Sequence, residues 1–185
     1  MHKRFILLCL IGFSGFLRRS EIVAIMVKNI TFYDDHMVIT IPESKSDQLR
    51  AGHEVHISRT TNKTCPVVWT EDYLKSTGLS KDDYLFSRLA KTKRGHNVIG
   101  KIPLSKTSLR RIFFENMEPL WDKNMKKKDY SLHSLRSGGA STAADNNVTD
   151  RMIRKQGRWA SNSSRDRYIK DNKRKRLSVS QNLGL

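Results

Sequence analysis

Residues 130–168 read YSLHSLRSGGASTAADNNVTDRMIRKQGRWASNSSRDRY, and the rest of the chain is interpreted outward from this stretch. His133 and Arg136 form an H-x-x-R pair, Trp159 follows a Gly-Arg step, and Tyr168 stands nine residues past that Trp. A helix beginning near Ser134 sets His133 and Arg136 three apart at its N-terminal end, where side chains at that spacing share a face and the helix dipole favours an anion. The arrangement suits a phosphate. Alone, an H-x-x-R is equally what a surface helix with a capping His and a solvated Arg shows, so its meaning depends on the residues around it.

Within the stretch, Gly138, Gly139, Ala140, Ala143 and Ala144 are small enough to let another backbone come close. Thr149 caps a short helix to Gln156 that Gly157 ends, and Ser161 or Asn162 starts the helix that carries Tyr168. Beyond it lies a basic run, Lys170 to Arg176. Its core, Lys173 to Arg176, reads as part of a DNA-binding face or as a nuclear localisation signal. Residues 177–185 carry four apolar side chains with no evident partner in the chain.

The charge balance points the same way. Lys+Arg number 35 against Asp+Glu 18, a formal charge of +17 over 185 residues, which calls for a polyanionic partner, nucleic acid before an anionic membrane surface. The length suits one domain with a real core. Cys9 and Cys65 are the only cysteines, without C-x-x-C spacing, so no disulfide framework or zinc ribbon is indicated and a reducing compartment is. The start, Met1 to Arg4 followed by the apolar run Phe5 to Ile11, mimics a signal peptide. No A-x-A-like site follows, and the run is too short to span a bilayer, so it reads as a buried helix over residues 3–13.

After that helix, Gly12 to Gly15 end it, Arg18 sits at the junction, and Ser20 with Glu21 starts a short second helix. Ile30, Phe32 and then Met37 to Ile41 are strand-like, separated by the hairpin signal Asp34-Asp35-His36. Pro42 closes the second strand, and a polar turn carrying Lys45 leads through Gly52 to a third strand, His53 to Ser58. His53 and His56 face opposite sides of a strand and lack H-E-x-x-H spacing, so no metal site is read there. Cys65-Pro66 opens a helix to about Ser76, with Val67, Val68, Tyr73 and Leu74 toward the core. Tyr84 to Phe86 is a short apolar segment, Arg88 to Lys101 a mobile basic loop, and Lys106 to Met117 a helix with Leu109, Ile112, Phe113 and Met117 on one face. Lys123 to Lys128 is a basic connection, either a solvated loop or one that tracks phosphates. The fold class is mixed α/β, mainly helical, with a small three-stranded antiparallel sheet.

Taken together these residues resemble the catalytic domain of the tyrosine recombinases, the phage-integrase and Cre-like family of DNA strand-exchange enzymes. Its motifs are an Arg three residues before a Glu, a Lys on a β-turn, an H-x-x-R, a His or Trp, and a Tyr nine residues later. Here they fall on Arg18 (with Glu21), Lys45, His133, Arg136, Trp159 and Tyr168, in order, between residue 5 and about 175. Trp at 159, where His is commoner, places the chain nearer the Trp-bearing, Cre-like members.

The resemblance implies a tyrosine recombinase catalytic fold over residues 1–176 and a C-terminal tail, 177–185, docking in trans onto a neighbouring subunit. It also implies that the family's N-terminal core-binding domain is absent from this sequence. The activity implied is site-specific strand exchange, recombination or integration, through a 3′-phosphotyrosyl intermediate with a free 5′-hydroxyl, needing neither metal nor cofactor. Tyrosine, with a pKa of about 10, needs help to lose its proton. Arg18 and Arg136 clamp the phosphate, His133 assists proton transfer or hydrogen-bonds the phosphate, Lys45 protonates the leaving oxygen, and Trp159 offers its indole N–H. The partners implied are double-stranded DNA and a homotetramer on two duplexes, with no membrane; the location is intracellular with DNA, the nucleus in a eukaryote. The alternatives are a non-catalytic DNA-binding remnant of a mobile-element recombinase and a type IB topoisomerase, a family that generally has Lys where this chain has His133.

Overall fold

The first helix forms because residues 5–11 are apolar almost without interruption, which makes a helix buried on most sides. In the computed structural model, which describes residues 2–41, 52–92 and 95–184 and the side chains among them outside 91–98, this is α1, His2–Ser14, with Leu7, Leu8 and Ile11 at or near zero exposure. Even Arg4 is buried, and donates to the Ser87 carbonyl at 3.2 Å. Helix α2, Arg19–Ala24, follows after a sharp corner in which Phe16 takes a left-handed conformation, φ 47°.

Strands β1, Ile30–Phe32, β2, His36–Ile41, and β3, His53–Ser58, form an antiparallel sheet in the order β1-β2-β3. Ile39 lies opposite both Ile30 and Val55, and Met37 opposite Ile57. Met37, Ile39, Ile41, Val55 and Ile57 turn into the core with α1, the period-2 pattern expected of a sheet with one buried face. Pro42 and the polar turn with Lys45 lie outside the described residues.

Helix α3 spans Pro66–Thr77, with Pro at its first turn and Gly78 left-handed (φ 65°) at its end. Val67 and Tyr73 are buried as expected, but Val68 is 40% exposed and Thr70 takes the inward position instead. Its hydroxyl is satisfied by the Pro66 carbonyl one turn back, at 2.7 Å, which is how a threonine enters a core without an unpaired group. The basic segment read as a mobile loop is a second antiparallel ribbon, β4, Ser87–Thr92, with β5, Gly95–Pro103. Its base is fixed to the body: the Tyr84 N–H donates to the Gly100 carbonyl and the Leu104 N–H to that of Phe86, each at 2.8 Å.

Helix α4, Lys106–Met117, is capped by Ser105, whose hydroxyl accepts from the Ser108 N–H at 3.0 Å. It buries Leu109, Ile112 and Phe113, and also Phe114. Helix α5, Leu132–Asp145, starts two residues earlier than expected because Ser131, not His133, is its cap, accepting from the His133 N–H at 3.1 Å. The small residues of α5 lie against α1: a Cβ on Gly139 would overlap the Phe13 carbonyl, so the two backbones meet there. Helix α6, Asp150–Gly157, ends on Arg158 in the left-handed region, φ 55°. Helix α7 covers only Asn162–Asp166, capped by Ser161. Tyr168 therefore stands on the turn after it and not within a helix, because its carbonyl is taken by the hydroxyls of Ser137 and Ser141 on α5, at 2.8 and 3.3 Å. Helix α8, Lys173–Gln181, closes the chain.

Candidate functional site

The close seam between α1 and α5 decides where Arg136 goes. On the first turns of α5 it points beneath the α1–α2 corner and is completely buried. One terminal nitrogen donates to the Phe16 carbonyl and the other to the Gly157 carbonyl, at 2.5 Å. Its planar face is covered by the rings of Trp159, 4.4 Å away, and Tyr168, 5.1 Å away. The resemblance gives Arg136 the role of clamping a phosphate; in the structure its guanidinium lies beneath the rings of Trp159 and Tyr168.

Arg18 caps α2 from the other side of the corner. Its backbone N–H donates to Glu21 at 2.7 Å and its guanidinium pairs with the same carboxylate at 2.9 Å, while the side chain stays 31% exposed. Glu21 has a second partner that the sequence did not announce. Arg158 reaches it at 2.6 Å, with both side chains almost sealed from water. Arg158 also donates to the carbonyls of Gln156, Gly15 and Phe16. Its only sequence signal is its place between Gly157 and Trp159.

Two guanidiniums thus pair with a single carboxylate while a third, Arg136, lies nearby without pairing to it, and the surplus is positive. Burial, together with the charges of Arg18 and Arg158, pulls Arg136 down to about 10, still cationic at neutral pH. Burial would raise Glu21, but Arg158 and Arg18 outweigh it and hold the carboxyl below its ordinary value. His133 is lowered by burial, then by Arg136 and Arg18, so it is neutral at pH 7 and free to accept a proton.

Tyr168 joins these groups. Its ring centroid lies 4.9 Å from that of His133 and 5.0 Å from that of Trp159. A cleft of about 500 Å³ opens beside it, lined by Arg18, His133 and Tyr168 together with Arg19, Lys106 and Arg110. Trp159 is only 7% exposed and its indole N–H has no partner among the described residues. It borders a different hollow, shared with His53, Arg151, Arg154 and Lys155. Of the six residues singled out from sequence, Arg18, His133 and Tyr168 share one cleft, and Arg136 and Trp159 lie directly behind it. Lys45 lies outside the described residues. Arg19, Lys106 and Arg110 were not singled out; nothing in their local sequence separates them from other surface cations. Among the described residues no group of three or more His, Cys, Asp or Glu side chains suits a metal ion.

This is a cationic cleft with a phenol at its edge and a neutral imidazole beside it, chemistry suited to a phosphodiester. Comparisons with known proteins bear on the family and the fold. The model of the phage integrase family matches residues 1–175. An integrase/recombinase XerD homologue from Selenomonas ruminantium is 28% identical over 162 residues, covering 86% of this chain and 45% of its own length, so the chain spans about half of that relative. The XerH site-specific recombinase in a post-cleavage complex with a palindromic difH substrate superposes with a TM-score of 0.73 at 17% identity, covering 97% of this chain and 45% of its own. XerA recombinase gives 0.69 at 16% identity, over 99% of this chain and 57% of its own. At these identities the superpositions establish the shared fold.

Proposed function

The chain belongs to the phage integrase family, and from that membership and the cleft we propose that it carries out site-specific strand exchange on double-stranded DNA, with Tyr168 as nucleophile. The observation that carries this reading is the convergence of Tyr168, Arg18 and His133 on one cleft with Arg136 directly beneath. The Tyr168 oxygen attacks phosphorus, its proton passes to neutral His133, and the bond from phosphorus to the 5′ oxygen breaks. The product is a 3′-phosphotyrosyl link and a 5′-hydroxyl, protonated by Lys45. A later attack by a 5′-hydroxyl reverses the step onto a new strand.

Each cation has a separate part. Arg18 is half free: Glu21 holds one edge of its fork, and the remaining donors face the cleft and a non-bridging phosphate oxygen. Arg136 supplies its charge from below, and meets the phosphate directly once Tyr168 moves off its face. Trp159 stacks on Arg136 behind the cleft, and its indole N–H, without a partner among the described residues, is the donor that the family reading gives to the same group. The remaining assignments follow from the family: residues 1–176 as catalytic domain, and a homotetramer assembled on two duplexes inside the cell. Segment 177–185 docks in trans, with Leu177, Val179 and Leu183 of α8 and its end exposed to do so. Among the described residues no helix is long and apolar enough to cross a membrane.

Covalent trapping tests the reading. The protein is incubated with a randomised pool of nicked duplexes, denatured, and assayed for attached DNA, with Tyr168→Phe as control. An adduct lost in that variant establishes the nucleophile. Salt-sensitive binding with no adduct identifies a DNA-binding remnant instead, and supercoil relaxation without exchange identifies a topoisomerase. Deleting residues 177–185 should abolish self-association on DNA; unchanged assembly would remove the tail from the scheme.

A further inference from the structure

The cleft is larger than one phosphate needs. At about 500 Å³ it has room for more than a dozen waters at roughly 30 Å³ each, and the groups assigned to the attacked phosphate are only part of its lining. The lining also includes α4 and the first residue of α2. Lys106 and Arg110 are four apart on α4, so they share a face, and with Arg19 they carry three further cations into the same space. Among the described residues no carboxylate lines it.

Ordinary solvated cations on a basic protein would look different in one respect. Arg110 is positioned: its guanidinium lies 4.8 Å from the centre of the Phe114 ring, a ring that is 6% exposed and braced edge-on by Trp121 at 6.1 Å. Stacking uses the face of the guanidinium and leaves its N–H edge free to bind. The neighbouring Arg111 is the contrast, since it points away and is neutralised by Glu115 at 3.1 Å. Among the described residues neither Arg19, Lys106 nor Arg110 has a carboxylate within ion-pair distance. The helix thus spends its one local carboxylate on the arginine that faces away and leaves the two cleft-facing cations unpaired.

We propose that Arg19, Lys106 and Arg110 form a second phosphate subsite, which holds the phosphodiester adjacent to the one Tyr168 attacks on the same strand. This rests on the reading of Tyr168 as nucleophile. The subsite holds the strand at a second point, next to the attacked phosphate, so that the attacked group is presented to Tyr168 in one orientation; its three residues are positioning residues.

The test is the salt dependence of binding to a random-sequence duplex, in a Tyr168→Phe background so that no covalent product interferes. Replacing Lys106 and Arg110 together by Gln should make the slope of log affinity against log salt shallower by about 0.9 for the one phosphate released. Arg111→Gln should leave the slope as it is, and Lys106→Arg with Arg110→Lys, which keeps both charges, should restore it. An unchanged slope in the double Gln variant, while the parent chain still forms its Tyr168 adduct, overturns the subsite and leaves the nucleophile standing. A shallower slope in a protein that never forms the adduct supports the subsite as an anion site and removes the nucleophile. A parent chain that does not bind the duplex at all overturns both.

Discussion

Replacing Arg158 by Met should destabilise the protein by about 3 kcal/mol. Breaking a buried ion pair by removing one partner costs about 3–5 kcal/mol, because the other charge stays buried. Here Glu21 keeps Arg18 at 2.9 Å, which argues for the lower end. At this chain length each kcal/mol moves the melting temperature by roughly 2–4 °C, so a fall of about 6–12 °C is expected, alongside a lower urea midpoint. The pH profile supplies a second readout. In the parent, Glu21 is held below its ordinary carboxylate value, so its contribution is complete above that value and is lost as pH falls through the folded one. Without Arg158 burial is less opposed, the carboxyl rises, and the acid-side loss begins at higher pH. Glu21→Met with Arg158→Met should cost less than the two single changes summed. A single-variant cost below about 1 kcal/mol, as for an exposed pair, or strict additivity in the double, would refute the account of Arg158 as the buried counter-ion of Glu21.

His133, lowered by burial and by Arg136 and Arg18, should titrate below its ordinary value by NMR, and stability should fall as pH drops from that value through the folded one, since the unfolded chain then binds the proton more readily. Gly157→Ala should cost about 1–3 kcal/mol and alter the near-ultraviolet circular dichroism, because the added Cβ overlaps the Trp159 ring, which is buried and cannot swing clear. Cys9, its thiol pushed up to about 12 by burial, should resist alkylation at pH 8 in the native protein and react once the protein is unfolded.

What the sequence revealed depended on whether a residue's partners were near it in the chain. α1 and α4 follow from runs and periods of apolar residues that bury themselves, and the glycines of α5 announced a close backbone approach without saying whose. The β4–β5 ribbon was read as a loop because Arg88 to Lys101 has no period: among its described side chains only that of Ser87 is buried, so no apolar pattern is needed there, and what fixes its base is backbone pairing. Tyr168 left its expected helix because two serines some thirty residues earlier claim its carbonyl. Arg158 and Glu21 are 137 positions apart, and no local pattern joins them. Arg18, His133 and Tyr168 line one cleft, but spacing carries no depth, so nothing in it told that Arg136 lies beneath the rings.

Phe16 holds a left-handed backbone conformation that L-residues seldom adopt, and there its carbonyl accepts from both Arg136 and Arg158. That oxygen belongs to no side chain. A scan exchanging residues one at a time for alanine would record two arginines as intolerant and pass over the acceptor they share, since any amino acid at 16 still brings a carbonyl. Only editing the main chain would reach it: an ester in place of the amide between 16 and 17 weakens that acceptor and also removes the Leu17 N–H that donates to the Gly12 carbonyl at 3.1 Å, so the loss it causes is an upper bound on what hangs from that one atom.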